Sequence, residues 1–521
     1  MFHVIQHNII YTIYANLVEK RVISASIKAM KNKVIPEEIV AIVETLEKAG
    51  FEAFLVGGCT RDILLGKEPK DWDITTNATP EQIIPLFPKT FYENSYGTVG
   101  VVNELTENPK LKIVEVTPYR LESSYTDFRH PDEVRFSKSI EDDLKRRDFT
   151  INAIAVSLSN GAIKDIVDLF GGLKDIKDKT IKAVGNPNDR FTEDALRMIR
   201  GVRLATEHGF TINKETTEAI LSHGKLLEKI AIERIRDEFV RIIMSNNPKA
   251  GIELLDSLNL LAYISPELLK AKGVGQNQAH AYDVWEHLLR TLQHSADKEW
   301  PLEIRLSALF HDISKPETKR FSHETNKITF YGHEVVGSRV TKKILERLKF
   351  PQKTIDKVVK MVRWHMFFSD TETITLSAVR RMIANVGREN IWDLMNIRIC
   401  DRVGTGRPKE NPYRLRKYKA MVEEAMVDPV SVGMLKTDGK RIMDVTHVTP
   451  GPKIGYVLNA LLEEVLEDPT LNTEEYLDKR SVELVNLQDK ELEDLGKQGI
   501  MKKNEAESEN IEQIHKKYHV S

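Results

Sequence analysis

The chain has 521 residues, 41% of them hydrophobic, and a formal net charge of −2 at pH 7. This length allows several hydrophobic cores and predicts three or four domains. Because the net charge is nearly neutral, overall charge attraction is excluded as the means of binding a polyanion. A polyanion would have to bind at local basic patches. With only two cysteines and no apolar run of about 20 residues, the composition excludes a disulfide framework, zinc-finger chemistry and a membrane-spanning helix, and it favours a cytoplasmic protein.

The two ends of the chain differ from the rest in composition. Residues 1–30 mix apolar and basic side chains without the three-part pattern of a signal peptide. We expect them to be an N-terminal extension upstream of a start at Met30, with a presequence as the alternative. Residues 501–521 are polar and charged and are predicted to form a tail.

The first folded part of the chain mixes helix and strand patterns. Residues 36–49 repeat apolar side chains at helical spacing and end at Gly50, after which an apolar run covers 51–56. This order predicts a helix, a turn and a strand. The next predicted elements are a helix over 60–65 and strands over 72–75, 97–102 and 112–118.

After about residue 185 the strand patterns nearly vanish. Periodic apolar positions predict helices over 193–207, 214–221, 230–243 and 250–260. A polar, aromatic segment over 273–287 then introduces another helical block that extends to about Arg402. The stretch 404–414 is rich in Gly, Pro and charge, which indicates a boundary before a last helical region.

A Gly-Gly turn and an Asp-x-Asp pair follow each other closely in the first part of the chain. Gly57 and Gly58 lie between a predicted strand and a helix, where backbone N–H groups can approach phosphates, and Arg61 can add a bidentate contact. Asp71 and Asp73, two residues apart on a predicted strand, point to the same face. Two carboxylates held together are costly unless a divalent cation neutralises them.

Each of these features alone would indicate only a tight turn or a solvated loop, but their short spacing brings metal and triphosphate together. In this combination, residues 55–76 resemble the signature of class II tRNA nucleotidyltransferases and bacterial poly(A) polymerases. These proteins are members of the nucleotidyltransferase superfamily related to DNA polymerase β. The family resemblance continues in the same order with a ribose-binding motif (146–155), a connecting motif (168–176) and a nucleobase-recognition helix (193–205).

The resemblance assigns roles to several side chains. Arg147 and Asp148 are expected to contact the incoming nucleotide. Asp194 and Arg197, three residues apart on a predicted helix, would offer an acceptor and a fork of donors that imitate pairing to cytosine and adenine. Two further arginines of that helix are candidates for triphosphate contacts: Arg200 and Arg203. An ordinary amphipathic helix with surface ion pairs is the alternative.

The implied reaction is in-line attack by a tRNA 3′-hydroxyl on an α-phosphate, with Asp71 and Asp73 as catalytic ligands of Mg²⁺. Glu115 is a weaker candidate for a third carboxylate, since a strand glutamate is more often a surface residue. The segment 123–149 resembles the flexible loop of the family, which favours addition of the full CCA sequence. In this chain His130 replaces the second arginine of that loop's usual motif.

A second constellation of metal-binding side chains follows in the helical block. His287, the adjacent His311 and Asp312, and Asp401 occur in the order that resembles the HD phosphohydrolase superfamily. Imidazole and carboxylate ligands suit divalent transition metals as well as Mg²⁺. His333 and His365 are secondary ligand candidates. Such a site would hydrolyse phosphomonoesters or 2′,3′-cyclic phosphates at damaged tRNA ends.

The last helical region contains a cluster of basic and aromatic residues that suits RNA backbone contacts. Its candidate RNA-binding residues are Arg414, Arg416, Lys417 and Lys419, beside Tyr413 and Tyr418. A solvated helix face is an equally good interpretation. Residues 451–477 resemble the family's C-terminal region, which would hold the tRNA elbow by backbone shape.

Taken together, these features predict an α+β chain with a polymerase β-like mixed sheet first and helices after it. The predicted domains are an extension (1–30), a nucleotidyltransferase head (31–180), a helical neck for nucleobase and RNA (181–275), an HD domain (276–405), a helical tRNA-binding region (406–500) and a charged tail (501–521). The implied function is CCA addition to tRNA from CTP and ATP, with HD phosphohydrolase activity. The alternatives are a poly(A) polymerase or A-adding enzyme, and an HD hydrolase whose N-terminal half binds RNA without catalysis.

Overall fold

The computed structural model describes residues 35–93, 97–122, 134–276, 281–322, 327–366, 374–407, 409–488 and 490–495. The chain divides into two compact units. The first unit extends to Ile242 and includes Glu253–Tyr263, and the second comprises Ile243–Ile252 and the chain from Ile264 onward.

A seven-stranded mixed sheet, in the order β3-β4-β5-β2-β1-β8-β9, is the centre of the first unit. Two small pairs, β6 with β7 and β10 with β11, accompany it. The strands are β1 (Ala53–Val56), β2 (Asp73–Thr76), β3 (Thr90–Glu93), β4 (Thr98–Val102), β5 (Ile113–Pro118), β6 (Arg120–Glu122), β7 (Val134–Phe136), β8 (Ile154–Ser159), β9 (Ala162–Asp168), β10 (Thr180–Ile181) and β11 (Thr211–Ile212). Within the large sheet only β2 and β5 pair in parallel, which places Asp73 and Glu115 side by side in register.

Helices cover the sheet and continue beyond it. They are α1 (Glu37–Lys48), α2 (Gly58–Leu64), α3 (Pro80–Ile83), α4 (Ile140–Lys145), α5 (Gly172–Lys177), α6 (Pro187–Glu193), α7 (Leu196–His208), α8 (Lys214–His223), α9 (Ile232–Ile243) and α10 (Pro248–Ser257). Helix α1 shows why the pattern folds in this way. Its buried residues, Ile39, Ile42, Val43 and Leu46, recur at helical spacing and join the core on the sheet. Burying each such side chain stabilises the fold by about 1.5–3 kcal/mol.

The expected single helix over 193–207 is wrong in one respect, because the structure has two helices there. Helix α6 ends at Glu193, Asp194 adopts an extended conformation with φ −142° and ψ 101°, and α7 begins at Leu196. The Asp194 side chain accepts a hydrogen bond from the Leu196 backbone N–H at 3.0 Å. Aspartate competes for backbone donors in this way, which favours caps over helix interiors. Asp194 therefore does not share a helical face with Arg197.

The second unit is built almost entirely from helices. They are α11 (Pro266–Leu269), α12 (Val284–Asp297), α13 (Leu302–Phe310), α14 (Lys315–Thr318), α15 (His333–Arg347), α16 (Gln352–Trp364), α17 (Leu376–Val386), α18 (Ile391–Gly404), α19 (Tyr413–Ala425), α20 (Gly439–Thr446), α21 (Pro452–Glu467) and α22 (Glu474–Val485), with one hairpin of β12 (Arg320–Ser322) and β13 (Lys327–Thr329). Helix α12 packs against α13 and α18. A second apolar cluster, which includes Val457, Leu461 and Leu477, forms the core near the C-terminal end.

The predicted α+β class, with a mixed sheet first and helices after it, is confirmed. Beyond residue 185, the described part of the chain contains only the short strands β11, β12 and β13. Among the described residues, no helix combines the length and apolar character that crossing a bilayer requires.

Candidate active sites

The Gly-Gly turn brings three predicted site residues together. Gly57 has φ +80° and lies at the turn from β1 into α2. A Cβ added at Gly57 would lie 3.2 Å from Arg147 Nη1 and 3.3 Å from Asp73 Oδ2. Glycine is therefore required twice, for the left-handed backbone conformation and for the close approach of these side chains. Gly58, the first residue of α2, lies beside the guanidinium of Arg61.

The aspartate pair lies at the beginning of β2. Asp73 is the first residue of the strand, whereas Asp71 is exposed in the bend before it, so the expectation that both lie on a strand is wrong for Asp71. Burial raises the pKa of Asp73 and so does the charge of Asp71, while Arg147 opposes this. This coupling is the electrostatic stress that a divalent cation relieves, and carboxylate oxygens suit Mg²⁺. Glu115 is the cross-strand neighbour of Asp73 but is exposed.

Arg147 is held by a buried carboxylate that the sequence patterns did not single out. Asp143 on α4 is fully buried and pairs with Arg146 at 2.6 Å and with Arg147 at 2.8 Å. Burial alone would raise the pKa of Asp143, but the two guanidinium groups outweigh it and lower the pKa to about 2. Asp143 therefore stays ionised and fixes Arg147. The available signal was the spacing of an acid three and four residues before two arginines, which follow the end of α4.

Arg61 does not project into open space. It is 8% exposed and donates to Asn152 Oδ1 at 2.8 Å and to Asp62 Oδ1 at 2.8 Å. Its guanidinium ties α2 to the turn before β8. The structure therefore gives Arg61 partners within the fold, and the predicted phosphate contact stays a prediction.

Asp148 and the arginine stripe of α7 form one network of ion pairs. Asp148 accepts a hydrogen bond from Arg200 at 3.1 Å. Burial alone would raise the pKa of Asp148, but the positive charges of Arg200 and Arg197 outweigh this effect and lower the pKa to about 2. Glu238 on α9 contacts Arg203 at 2.6 Å and Arg200 at 3.5 Å. The charges of Arg200 and Arg203 are thus compensated by carboxylates. Their contact with triphosphate stays a prediction.

The two base-recognition candidates, Asp194 and Arg197, are each held by a different partner. Asp194 receives two bonds from Arg234, at 2.8 and 3.4 Å. Arg197 is 7% exposed and donates to Glu193 at 2.8 Å and to the Arg146 carbonyl at 3.1 Å. Glu193 and Arg234 were missed by sequence reasoning. The i,i+4 spacing could have indicated Glu193, whereas Arg234 lies 40 residues from Asp194 and carries no local signal.

In the second unit, the six HD candidates converge in two groups that share one aspartate. The ligand atoms of each group lie within 4.8 Å of one another. The first group is His287, His311, Asp312 and Asp401, and the second is Asp312, His333 and His365. All six residues are buried. Helices α12, α15 and α18 supply His287, His333 and Asp401, and the turns that follow α13 and α16 supply the other three residues, so the cluster is held by the packed helical framework.

Backbone carbonyls set the orientation of three of these histidines. The Nδ1 atoms of His311, His333 and His365 lie 2.9, 2.7 and 2.7 Å from the carbonyls of Ala308, Phe330 and Val362. Their Nε2 atoms point to Asp312, at 3.2, 3.2 and 3.5 Å. Within the described residues, His333 Nε2 and His365 Nε2 are buried without a hydrogen bond. Metal-ligating histidines are typically oriented in this way, so the cluster fits one or two metal ions.

The charges of the cluster also fit a cation. Burial disfavours protonation of His311, but Asp312 and Asp401 raise its pKa to about 10. The two carboxylates therefore attract positive charge into a buried site. Nitrogen and oxygen donors together suit Mn, Fe, Ni or Zn as well as Mg.

A cavity of about 1000 Å³ opens above this cluster. Its lining includes the ligand candidates Asp312, His333, His365 and Asp401. Tyr413 and Arg414, from the predicted RNA-binding segment, line the same cavity. Such a space admits a ligand to the cluster without unfolding of the surrounding helices.

The rest of the predicted RNA-binding segment is engaged locally. Tyr418 is 1% exposed and belongs to the core, so it cannot stack on a base. Arg416 and Lys419 bond to the backbone and side chain of Asn411, at 3.0 and 2.9 Å. Contacts of Arg416, Lys417 and Lys419 with RNA stay predictions.

Comparison with known families follows the same division of the chain. Residues 53–182 match the poly A polymerase head domain, residues 209–272 match the "Probable RNA and SrmB- binding site of polymerase A", and residues 284–405 match the HD domain. The chain is 31% identical over 469 residues to a CCA-adding enzyme of Leuconostoc mesenteroides, covering 88% of this chain and 99% of that protein. The chain belongs to the CCA-adding enzyme family.

Other CCA-adding enzymes align over different lengths. The CCA-adding enzyme of Levilactobacillus brevis is 45% identical over 233 residues, which cover 44% of this chain and 56% of that enzyme, so the alignment spans about half of that relative. The crystal structure of the Bacillus stearothermophilus CCA-adding enzyme in complex with CTP is 27% identical with a TM-score of 0.65. That match covers 87% of this chain and 98% of the other. The predicted family is confirmed, and with it a nucleotidyltransferase.

Nucleotidyltransferase and HD domains are generally metal-dependent, which supports the prediction that the chain binds divalent metals. The identity of each ion stays a prediction. The flexible-loop motif around His130 lies outside the described residues. So do the N-terminal extension and the charged tail. The predicted domain boundaries remain predictions.

Proposed function

We propose that the first unit adds or repairs the 3′-terminal CCA of tRNA, using CTP and ATP and releasing pyrophosphate. The observation that carries this proposal is the meeting of Asp73 and Arg147 at Gly57. It occurs in a chain that aligns with 99% of a CCA-adding enzyme. The proposed location is the cytoplasm, with which two buried, unbridged cysteines, Cys59 and Cys400, are consistent.

In the proposed reaction the tRNA 3′-hydroxyl attacks the α-phosphate in line and pyrophosphate leaves. Asp71 and Asp73 would hold Mg²⁺, which supplies charge stabilisation for the entering and leaving oxygens. Burial opposes the charge of Arg147, but Asp143 and Asp73 raise its pKa, so it keeps a fixed positive charge at the Gly57 turn. That charge lies where the incoming nucleotide would enter.

Selection of the base would rest on Asp194 and Arg197. Cytosine and adenine each present an amino donor beside an acceptor, so a carboxylate with a guanidinium can imitate pairing to both. Glu193 holds Arg197 and Arg234 holds Asp194. Both side chains would thus be oriented before the nucleotide arrives, which reduces the entropic cost of recognition.

The test uses tRNA transcripts that end before the first C, after the first C and after the second C. Each is incubated with CTP, with ATP and with both nucleotides, and the 3′ ends are sequenced. We expect two C residues followed by one A, with ATP used only on ends that carry both C residues. Long A tails would instead indicate a poly(A) polymerase, and addition of A alone would indicate an A-adding enzyme.

We also propose a phosphohydrolase activity for the HD cluster, and the buried Nε2 atoms of His333 and His365 that lack hydrogen bonds favour it. His287, His311, Asp312 and Asp401 would hold one ion, and Asp312 with His333 and His365 a second, which would supply Lewis-acid chemistry. The test is release of phosphate from p-nitrophenyl phosphate by protein loaded in turn with Mn²⁺, Ni²⁺, Zn²⁺ or Mg²⁺. Absence of turnover with every metal would contradict the proposal.

A further inference from the structure

The cavity above the HD cluster contains more positive charge than its carboxylates neutralise. Five basic side chains line it: Lys315, Arg398, Arg402, Arg407 and Arg414. Lys315 pairs with Asp312 at 2.6 Å, and Arg398 pairs with Asp401 at 2.6 Å. Among the described residues, the other three arginines have no carboxylate ion-pair partner. These three, Arg402, Arg407 and Arg414, are called the cavity arginines below.

Arg402 is the best-placed of the cavity arginines. It follows Asp401 directly on α18, is partly buried, and donates its Nε–H to the Lys409 carbonyl at 2.7 Å. That bond restrains the side chain, and within the described part of the chain its Nη atoms donate no hydrogen bond. Arg398 and Arg407 line the same cavity. Positive charges gathered around a cavity are unfavourable until an anion binds among them.

Two exposed tyrosine rings line the cavity with these charges. Tyr331 and Tyr413 line the cavity and are 69% and 68% exposed, although most large aromatic side chains are largely buried. Tyr413 directly precedes Arg414 at the beginning of α19. Exposed aromatic rings next to basic side chains bind nucleotides, because the rings stack on bases and guanidinium groups pair with phosphates.

The cavity is larger than a minimal ligand would fill. Its volume of about 1000 Å³ lies at the upper end of the range of about 300–1,000 Å³ usual for small-molecule sites. A single small phosphomonoester at the metal cluster would leave most of this space, and the cavity arginines, without contacts.

We propose that this cavity binds a nucleotide ligand with at least two phosphate groups. One phosphate lies at the metal cluster, a second contacts the cavity arginines, and a base stacks on Tyr331 or Tyr413. The inference rests on the proposed HD phosphohydrolase function and extends it to a substrate class. Two sources share this chemistry, a 3′-phosphorylated RNA end and a free nucleoside polyphosphate.

Arginine footprinting tests the binding without metal or turnover. The full chain, treated with a chelator, is reacted with phenylglyoxal and modification is measured by mass spectrometry of its peptides. The ligands are a 3′-phosphorylated trinucleotide, ATP, inorganic phosphate and adenosine, each at one concentration. Arg339, exposed on α15 and outside the cavity lining, is the reference residue.

We expect the trinucleotide or ATP to slow modification of the cavity arginines at least about 3-fold, with Arg339 unchanged. Protection by the trinucleotide alone identifies an RNA end, and protection by ATP alone identifies a free nucleotide. Equal protection by inorganic phosphate overturns the proposal, because a second phosphate and a base then add nothing. Absence of protection by every ligand also overturns it.

The loaded enzyme gives an independent measurement. Removing one charge-assisted contact costs about 10-fold in selectivity. We therefore expect R402Q and R407Q each to lower the ratio of kcat/KM for the preferred nucleotide to kcat/KM for p-nitrophenyl phosphate by about 10-fold, while R339Q leaves it unchanged. An unaltered ratio in both cavity variants contradicts the inference. If the wild-type protein hydrolyses neither substrate, the phosphohydrolase proposal fails, whereas footprinting still decides on binding.

Discussion

The polymerase site and the HD cluster of this chain orient their charged side chains in different ways. In the HD cluster, three histidines are oriented by carbonyls only three residues away, and their Nε2 atoms meet at one buried aspartate. In the polymerase site, local pairs such as Asp143 with Arg147 are combined with partners far along the chain, such as Arg200 with Asp148 at a separation of 52 residues. The first arrangement gives a compact, buried cluster of candidate metal ligands, and the second distributes paired charges over several helices and turns.

The largest effect is expected from the substitution D312N, because Asp312 belongs to both ligand groups of the HD cluster. Losing a shared ligand removes charge and a donor from each group, so we expect metal affinity of the second unit to fall at least about 100-fold. Bound metal is measured by plasma mass spectrometry after dialysis. The control is D356N, an exposed aspartate on α16. Retention of the wild-type metal content by D312N would mean that the cluster is not the metal site.

The second substitution tests the buried ion pairs of the polymerase site. D143N leaves Arg146 and Arg147 without their shared carboxylate, and breaking such a buried pair costs about 3 kcal/mol or more. Urea unfolding followed by a probe in the first unit measures this change. The matched variant E141Q, exposed on the same helix, should differ from wild type by less than about 0.5 kcal/mol. Equal stability of both variants would show that Asp143 does not hold the site.

The same aspartate predicts a dependence of stability on pH. The pKa of Asp143 is about 2 in the folded chain instead of 3.8, so the folded chain binds fewer protons at this group than the unfolded chain does. The ionised carboxylate therefore stabilises the fold by about 2 kcal/mol above about pH 4, and this contribution is lost as the pH falls through 2. The free-energy difference between wild type and D143N should therefore narrow from pH 5 to pH 2. A constant difference over this range would contradict the lowered pKa.

The smallest predicted effect concerns base selection. Arg234 holds Asp194 by two bonds, so R234Q should leave that carboxylate less restrained and change the ratio of kcat/KM for CTP to that for ATP by about 10-fold. R236Q on the same helix is the control, because Arg236 pairs with its neighbour Asp237. A change in kcat alone, equal for both nucleotides, would indicate only a structural role for Arg234.

The comparison also explains what could be predicted from the sequence. Gly57, Asp71 and Asp73 lie close together in the chain, and the HD histidines occur in a recognisable order, so local patterns indicated both sites. The partners that orient them could not be predicted in this way. Arg61 meets Asn152 across 91 residues, and Asp194 meets Arg234 across 40. Such pairs depend on how the helices and strands pack.

Helical periodicity likewise missed the break at Asp194. Apolar positions continue with nearly the same period through α6 and α7, whereas the interruption is set by one side chain that caps Leu196. A side-chain cap inside an apolar pattern has no periodic signal. The prediction that Asp194 and Arg197 share one helical face was therefore wrong. Each residue is instead held by an ion pair, Arg197 by Glu193 and Asp194 by Arg234.

The most direct test of two separate sites measures both reactions on the same preparations of wild type, D73N and D165N. Asp165 is an exposed aspartate on β9 and serves as the control. Loss of a metal-binding carboxylate removes several kcal/mol of transition-state stabilisation, so D73N should lose nucleotide incorporation by at least about 1000-fold and retain wild-type phosphate release. Incorporation by D73N within about 10-fold of the D165N rate would contradict the assignment of the polymerase site.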